Sequence, residues 1–176
     1  NFKPGQHGTK PTKSKSDYGL HLRAKQRLKF YYGCGRITEK QFRNLFSLAQ
    51  RKRGNTEANF ISLLESLLPT LVYRMGIASS LAAARQIVRH GHIKVNDQKV
   101  DIPSYKVQVG DIITVKDKSK NLSIILENVA TKKSTPEYLQ FDSDKLEGKF
   151  LRLPTIDEVP YPFEAEPQKI VELYSR

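Results

Sequence analysis

A single cysteine among 176 residues allows no internal disulfide and no cysteine-based metal site. Cys34 stands between two glycines with no catalytic base beside it. We read it as a small turn residue, and the near-absence of cysteine as the mark of a reducing compartment. No apolar run reaches 18 residues and residues 1–19 hold no apolar signal-peptide core, so neither a membrane span nor secretion is expected. A first residue other than methionine leads us to expect trimming or a start inside the gene. The chain has no P-loop, no G-x-G-x-x-G, no H-E-x-x-H and no internal repeat. It also has no serine or cysteine nucleophile with a base and an orienting partner. Catalysis is therefore not expected, and neither is a cofactor or a metal.

Acidic residues are nearly missing from the first third. Residues 1–54 hold 14 Lys and Arg against only Asp17 and Glu39, whereas the remaining 122 residues carry 16 of each sign. The whole net charge of +12 thus resides in the first third, which is the electrostatic footprint of a nucleic-acid surface. From residue 137 onward nine acids face five bases. That end should be repelled by phosphate and should meet a basic protein neighbour.

Residues 1–16 combine Pro, Gly, Ser and Lys without hydrophobic period, and are expected to be disordered until Lys10, Lys13 and Lys15 order on phosphate. Asp17 is expected to cap a helix burying Leu20, Ala24, Leu28 and Tyr31, broken at residues 33–36. Thr38 and Gln41 form a capping box before a stripe of Phe42, Leu45, Phe46 and Ala49. Thr56 opens a third helix with Phe60, Leu64, Leu67 and Leu68 inward. Pro69 must interrupt it, since proline costs about 3 kcal/mol in a helix interior, and should sit in the first turn of a new segment.

The chain is organised around residues 79–115. Ser79 or Ser80 caps a short helix with Leu81, Ala84 and Val88 buried and Gly91 at its end. Arg85 and Arg89 share the outer face, where like charges repel by roughly 0.2–0.5 kcal/mol unless an anion lies across them. The period then changes to two: Ile93 and Val95, then Val100 and Ile102, alternate with polar residues. Residues 121–130 repeat apolar residues at helical spacing (Leu122, Ile125, Leu126, Val129), and residues 131–135 are a linker. Two strands follow, one around Tyr138, Leu139 and Phe141 and one around Phe150, Leu151 and Leu153, joined by an acidic turn. Four prolines keep residues 153–168 extended, and residues 169–174 form a last short helical turn.

A helix with paired Arg, a Gly-bounded turn, an Asn-containing hairpin and a Gly-Asp turn before an apolar strand resembles the small RNA-binding module of the ribosomal protein S-four family. The segments HGHIKVN, IPSY and VGDIITV, with PGQHG near the start and IVELYSR at the end, extend the resemblance over nearly the whole chain. The chain departs from the pattern at Asp97, where a hairpin Gly is usual, at Leu81, where Arg is common, and at Pro69, where an acid is usual.

The resemblance implies an α+β fold in which a helical N-terminal domain carries an inserted module, a helical hairpin packed on a small, mainly antiparallel sheet. It places residues 1–64 in the helical domain, completed by residues 155–176, and residues 65–154 in the module with its acidic β extension. It further implies a primary binder of small-subunit (16S-type) ribosomal RNA that nucleates the 5′ domain, lines the messenger entry region beside ribosomal proteins five and three, and contributes to accuracy. Such a protein is not a homo-oligomer, and works on ribosomes in a bacterial cytoplasm, a mitochondrial matrix or a plastid stroma. A free-standing RNA-binding regulator and an accessory module of an RNA-modifying enzyme are the alternatives. Chain length argues against the enzyme, which needs a large catalytic domain besides.

The residues expected at RNA are Gln6, His7, Lys10, Lys13 and Lys15 in the arm, and Arg23, Lys25, Arg27, Arg36, Lys40, Arg43, Arg51, Lys52 and Arg53 in the helical part. In the module they are Arg74, Ser79, Arg85, Arg89, His90, His92, Lys94, Asn96, Lys99 and Tyr105. The residues expected at a protein neighbour are Asp142, Asp144, Glu147, Lys149 and Arg152.

Overall fold

A computed structural model of the chain describes residues 6, 8, 16–131 and 134–175. The expected disorder of the arm, and the contacts of His7, Lys10, Lys13 and Lys15, lie outside the described residues. Helix α1 (Asp17–Gly33) is capped by Ser16, whose Oγ accepts from the Gly19 amide at 3.3 Å. Asp17 itself lies one residue inside, in the first turn, where its charge still favours the helix dipole. The buried face is His21, Ala24, Lys25, Leu28 and Tyr32 rather than the stripe through Leu20 and Tyr31. The helix is rolled toward its polar side because the Tyr32 hydroxyl reaches the buried Glu65 carboxylate and the Lys25 ammonium reaches the partly exposed Glu39. Helix α2 (Glu39–Arg51) carries the expected capping box, with Thr38 and Gln41 exchanging hydrogen bonds at 3.2 and 3.0 Å. Helix α3 (Thr56–Glu65) ends before Pro69, and α4 (Leu68–Arg74) begins with that proline in its first turn.

The first core cluster unites α1, α2 and α3. Phe60 meets Phe42 and Phe46 edge-on, with ring centroids 5.2 and 5.4 Å apart. Val159 and Ile170 join it from the far end of the chain, because α7 (Pro167–Tyr174) packs along α1. This helix starts at Pro167, two residues earlier than expected, since proline suits the first helical position.

The second cluster holds α4 and α5 (Leu81–Arg89) against a five-stranded antiparallel sheet. Its strands are β1 (Ile93–Val95), β2 (Gln98–Lys99), β3 (Ile112–Val115), β4 (Leu139–Asp142) and β5 (Glu147–Phe150), in the order β2-β1-β3-β5-β4. Asn96 and Asp97 both take left-handed φ, 47° and 63°, in the two-residue turn between β1 and β2. The pairing ends at Lys99, so the expected alternation through Ile102 fails; Ile102 is 53% exposed. Gly148 faces α4 so closely that a Cβ there would stand 2.6 Å from Met75 Sδ.

Asp142 and Glu147 are not turn residues but the last facing pair of the β4–β5 ladder, and Leu151 and Leu153 fall outside the strand and are exposed. In α6 (Ser123–Ala130) only Ile125 is buried, and the expected stripe partners Leu122 and Leu126 face outward.

One polar node joins the two clusters. Glu65, with no exposed surface, accepts from Arg74 Nε and Nη2 at 3.1 and 2.8 Å, from Tyr32 at 2.6 Å and from Tyr138 at 2.7 Å. Arg74 Nη1 donates to the Pro160 carbonyl at 3.1 Å, and the Tyr32 and Tyr161 hydroxyls lie 2.6 Å apart. Removing one partner of a buried ion pair leaves an uncompensated charge, which costs about 3–5 kcal/mol. We expect Glu65→Ala to lower the stability by that amount in urea denaturation. A loss below about 1 kcal/mol would show that the node does not hold the clusters together.

A second tie is titratable within reach of ordinary buffers. Partial burial pushes the Glu39 carboxyl up, but hydrogen bonds from Lys25, Lys29 and Tyr174 outweigh it and bring the pKa down to about 2. A carboxylate depressed on folding stabilises above its unfolded pKa near 4.5, and loses that contribution as pH falls toward 2. Since Glu39 is 44% exposed, solvent screening limits the effect to about 0.5–1 kcal/mol. The stability gap between the parent and Glu39→Gln, measured by urea titration, should therefore be full at pH 6 and close between pH 4.5 and 2.

Candidate nucleic-acid interface

The basic residues of the helical part divide by whether the protein itself neutralises them. Lys25 is 7% exposed and bound to Glu39 at 2.6 Å, so the structure removes it from the expected RNA contacts. Arg23, Arg27, Arg36, Lys40, Arg43, Arg51, Lys52 and Arg53 are exposed, and none has a carboxylate within 4 Å among the described residues. Glu39, one of only two acids in this part, is committed to Lys25 and Lys29.

Helix α5 brings its own cations to the same side. Ser80 is its N-cap, accepting from the Ala83 amide at 3.2 Å, while Ser79 stays exposed beside it. Arg89 faces outward as expected. Arg85 is half-buried at a cleft of about 270 Å³ between the two clusters, lined by Tyr32, Ile37, Pro103 and Lys106 among others. Burial lowers the Arg85 pKa, and the positive charges of Arg36 and Arg89 lower it further. Arg36 follows α1 whereas Arg85 and Arg89 belong to α5, so the three cations form one patch across the junction. Lys106, which we did not anticipate, is exposed at the same cleft; its alternation with the buried Val107 was the available signal.

Cys34, in left-handed conformation at the end of α1, is close enough to Arg85 and Arg36 for both to act on its thiol, yet burial still pushes its pKa up. A thiol held protonated is not an activated nucleophile.

The module hairpin adds hydrogen-bonding groups more than free charge. His90 is exposed, and its ring lies 6.1 Å from that of His92, whose Nδ1 is 2.8 Å from Ser119 Oγ. Burial, then His90 and Lys116, depress the His92 pKa, so this imidazole is a neutral group at pH 7. Lys94 pairs with Asp117 at 3.6 Å and Lys99 with Asp101 at 3.1 Å, both with exposed partners. Tyr105 is half-buried against the second core.

Two more expected contacts are corrected. Arg74 is buried in the Glu65 node, with its guanidinium occupied there and at Pro160. Asn96 uses both ends of its carboxamide internally, donating to Asp111 at 2.8 Å and accepting from the Ile112 amide at 3.0 Å. Periodicity could mark these residues as polar, but only the three-dimensional contacts show that Arg74 is buried and that the exposed Asn96 already has partners within the protein. Gln6 is exposed.

The acidic end lies on the opposite edge of the sheet from β2. Asp142 accepts from the Asp144 and Lys145 amides at 3.0 and 3.2 Å, Glu147 closes the ladder opposite it, and Lys149 is exposed on β5. Arg152 forms a bidentate pair with Glu158 at 2.7 and 2.8 Å. Strand β4 is the edge of the sheet opposite β2 among the described residues. Among the described residues no helix is long and apolar enough to cross a membrane, and no three His, Cys, Asp or Glu gather as a metal site.

Comparison with known proteins agrees with this two-part layout. A family model described as the ribosomal protein S4/S9 N-terminal domain matches residues 1–65, and one described as the S4 domain matches residues 67–113. The chain is 57% identical over 177 aligned residues to the small ribosomal subunit protein uS4 of Rickettsia typhi, with all of this chain and 85% of that protein covered. It is 56% identical, with the same coverage, to the proteins of that name from Rickettsia prowazekii and Rickettsia felis. At that identity over its full length, the chain belongs to the ribosomal protein S4 family.

Proposed function

We propose that this protein is a structural component of the small ribosomal subunit that binds small-subunit ribosomal RNA across the junction of its helical and sheet-bearing parts. The observation that carries the reading is the patch of Arg36, Arg85 and Arg89, drawn from both parts and with no carboxylate within 4 Å among the described residues. Like-charged groups placed together on a rigid surface are stabilised by a polyanion, and a folded RNA supplies phosphates at the spacing of two backbones. In this reading residues 1–64 with 155–176 form the helical body and residues 65–154 the inserted module. The family resemblance adds the finer roles to this reading: nucleation of the 5′ domain, a place near messenger entry, and contacts with ribosomal proteins five and three. The chemistry is recognition, with no catalytic step.

Binding of a small-subunit RNA fragment should depend steeply on salt. With about eight phosphate contacts the slope of log K against log salt is about −6. Arg85→Ala with Arg89→Ala should weaken binding by about 2–4 kcal/mol, at roughly 1–2 for each charge-assisted contact, and leave the thermal transition in place. A slope near −1, or unchanged affinity in the folded double variant, would remove this face from the interface. Sedimentation of the protein in free fractions rather than with small subunits would favour a free-standing regulator.

The acidic edge is assigned to a protein neighbour. Reversal of Asp142, Asp144 and Glu147 to Lys should leave the RNA affinity equal or slightly higher, yet weaken association with the neighbouring ribosomal protein by about 1–3 kcal/mol, an effect that fades at high salt. Lost RNA affinity with an intact protein contact would show the two ends to be assigned the wrong way round.

A further inference from the structure

Phe30 is the most exposed large apolar side chain among the described residues, at 69%. It faces outward from α1 at the rim of a shallow groove of about 890 Å³ that runs between α1, the start of α5 and the C-terminal segment. Tyr31, Tyr73, Leu81 and Phe163 form its apolar lining, and Arg23 and Arg27 its cationic rim. The Arg27 guanidinium lies over the Phe163 ring, 5.6 Å from the centroid, and neither arginine has a carboxylate within 4 Å among the described residues. Cys34 lines the groove and also feels the charges of Arg85 and Arg36, so the groove is continuous with the cationic patch.

An exposed aromatic face one turn beyond two unneutralised arginines on the same helix is poorly suited to solvent. It is equally unsuited to a basic or purely apolar protein segment, which would leave the cations unpaired. Its complement is a flat π surface carrying a negative charge. We propose that the groove receives an unpaired nucleotide of the bound RNA, with its base on the Phe30 ring and its phosphate between Arg23 and Arg27. The nucleotide must be unpaired, because a base inside a duplex has both faces covered by its neighbours. This rests on the RNA-binding role proposed above, and adds to it a site for one splayed base.

The test uses the full chain and a small-subunit RNA fragment, with affinities taken at several salt concentrations. Phe30→Leu keeps the apolar surface and removes the π face. It should bind about 5- to 150-fold more weakly, the range for one stacked base, with the salt slope unchanged because stacking releases no counterions. Phe30→Tyr should restore affinity to within about twofold of the parent. Arg23→Gln with Arg27→Gln should instead reduce the slope by about 1.5. Ultraviolet irradiation of the parent complex should crosslink RNA at Phe30, and the crosslink should vanish in Phe30→Leu.

A parent that binds RNA with the steep slope while Phe30→Leu binds equally well, or one that gives no crosslink at Phe30, overturns the nucleotide site alone. A parent without salt-dependent RNA affinity overturns the underlying role. Unchanged RNA affinity of Phe30→Leu with poorer incorporation into small subunits would assign the groove to a protein and also overturn the proposal.

Discussion

The arrangement of the molecule depends on one buried charge. Glu65 lies without solvent exposure where α3 gives way to α4, and four donors from three separate parts of the chain converge on its carboxylate. Desolvating an ion costs several kcal/mol, so such a node adds little net stability over a well-packed apolar one. It does demand geometry. Tyr32 must arrive from α1, Arg74 from α4 and Tyr138 from just before β4, each at hydrogen-bonding distance. Burial, reinforced by the carboxylate, pushes the Tyr32 and Tyr138 pKa values up, so both remain donors throughout the neutral range. Burial alone would lower the Arg74 pKa, but Glu65 more than reverses it. The node thereby sets the orientation of the helical cluster against the sheet cluster, and with it the approach of Arg36 to Arg85.

That orientation matters because most cations of the helical part have no carboxylate within 4 Å among the described residues. Of the two acids in the first third, Asp17 stands at the start of α1 and Glu39 ties Lys25, Lys29 and Tyr174 together. The remaining bases of α1, α2 and the following loop stay solvated and mutually repelling. A surface of this kind gains most from a ligand that is itself a dense, fixed array of negative charge. Negative side chains gather at β4 and the turn beyond it, across the whole width of the sheet from β2. In the proposed reading, this distribution would steer RNA to one side and leave the other open to protein.

Local signals in the sequence located the elements well where the chemistry was local. The Thr38–Gln41 capping box, the break imposed by Pro69 and the helix started by Ser80 each depend on residues within a few positions of one another. Legibility failed where a distant contact decided the outcome. Helix α1 rolls toward Tyr32 because Glu65 lies 33 residues away, and Arg74 looks like one more surface cation until that same carboxylate is placed beside it. Helix α6 has apolar residues at the right spacing, yet only Ile125 is fully buried, with Val129 packed beside it at the edge of the core. At the candidate interface, charge asymmetry pointed to the first third of the chain, where most of the unpaired cations stand. It could not separate Lys25, which is neutralised, from Arg23 and Arg27 on the same helix, and a search for cations passed over Phe30.

The departures from the family pattern show how the fold absorbs change without altering its logic. Asp97 takes φ of 63° in the turn where glycine is usual, tolerable because Asp is among the few residues that visit this region. Asn96 secures the turn from its other side through Asp111 and the Ile112 amide. Leu81, in place of a common arginine, is buried at the start of α5 and makes the neighbouring groove apolar. The sheet also extends past the 67–113 match: β5 pairs with β3, and Tyr138 and Phe150 complete the core beneath α4. Helix α5 and the acidic edge strand are therefore parts of one packed body, tied through Tyr138 to Glu65. In the proposed reading, a protein neighbour on β4 and an RNA on α5 would bind surfaces joined by one continuous core.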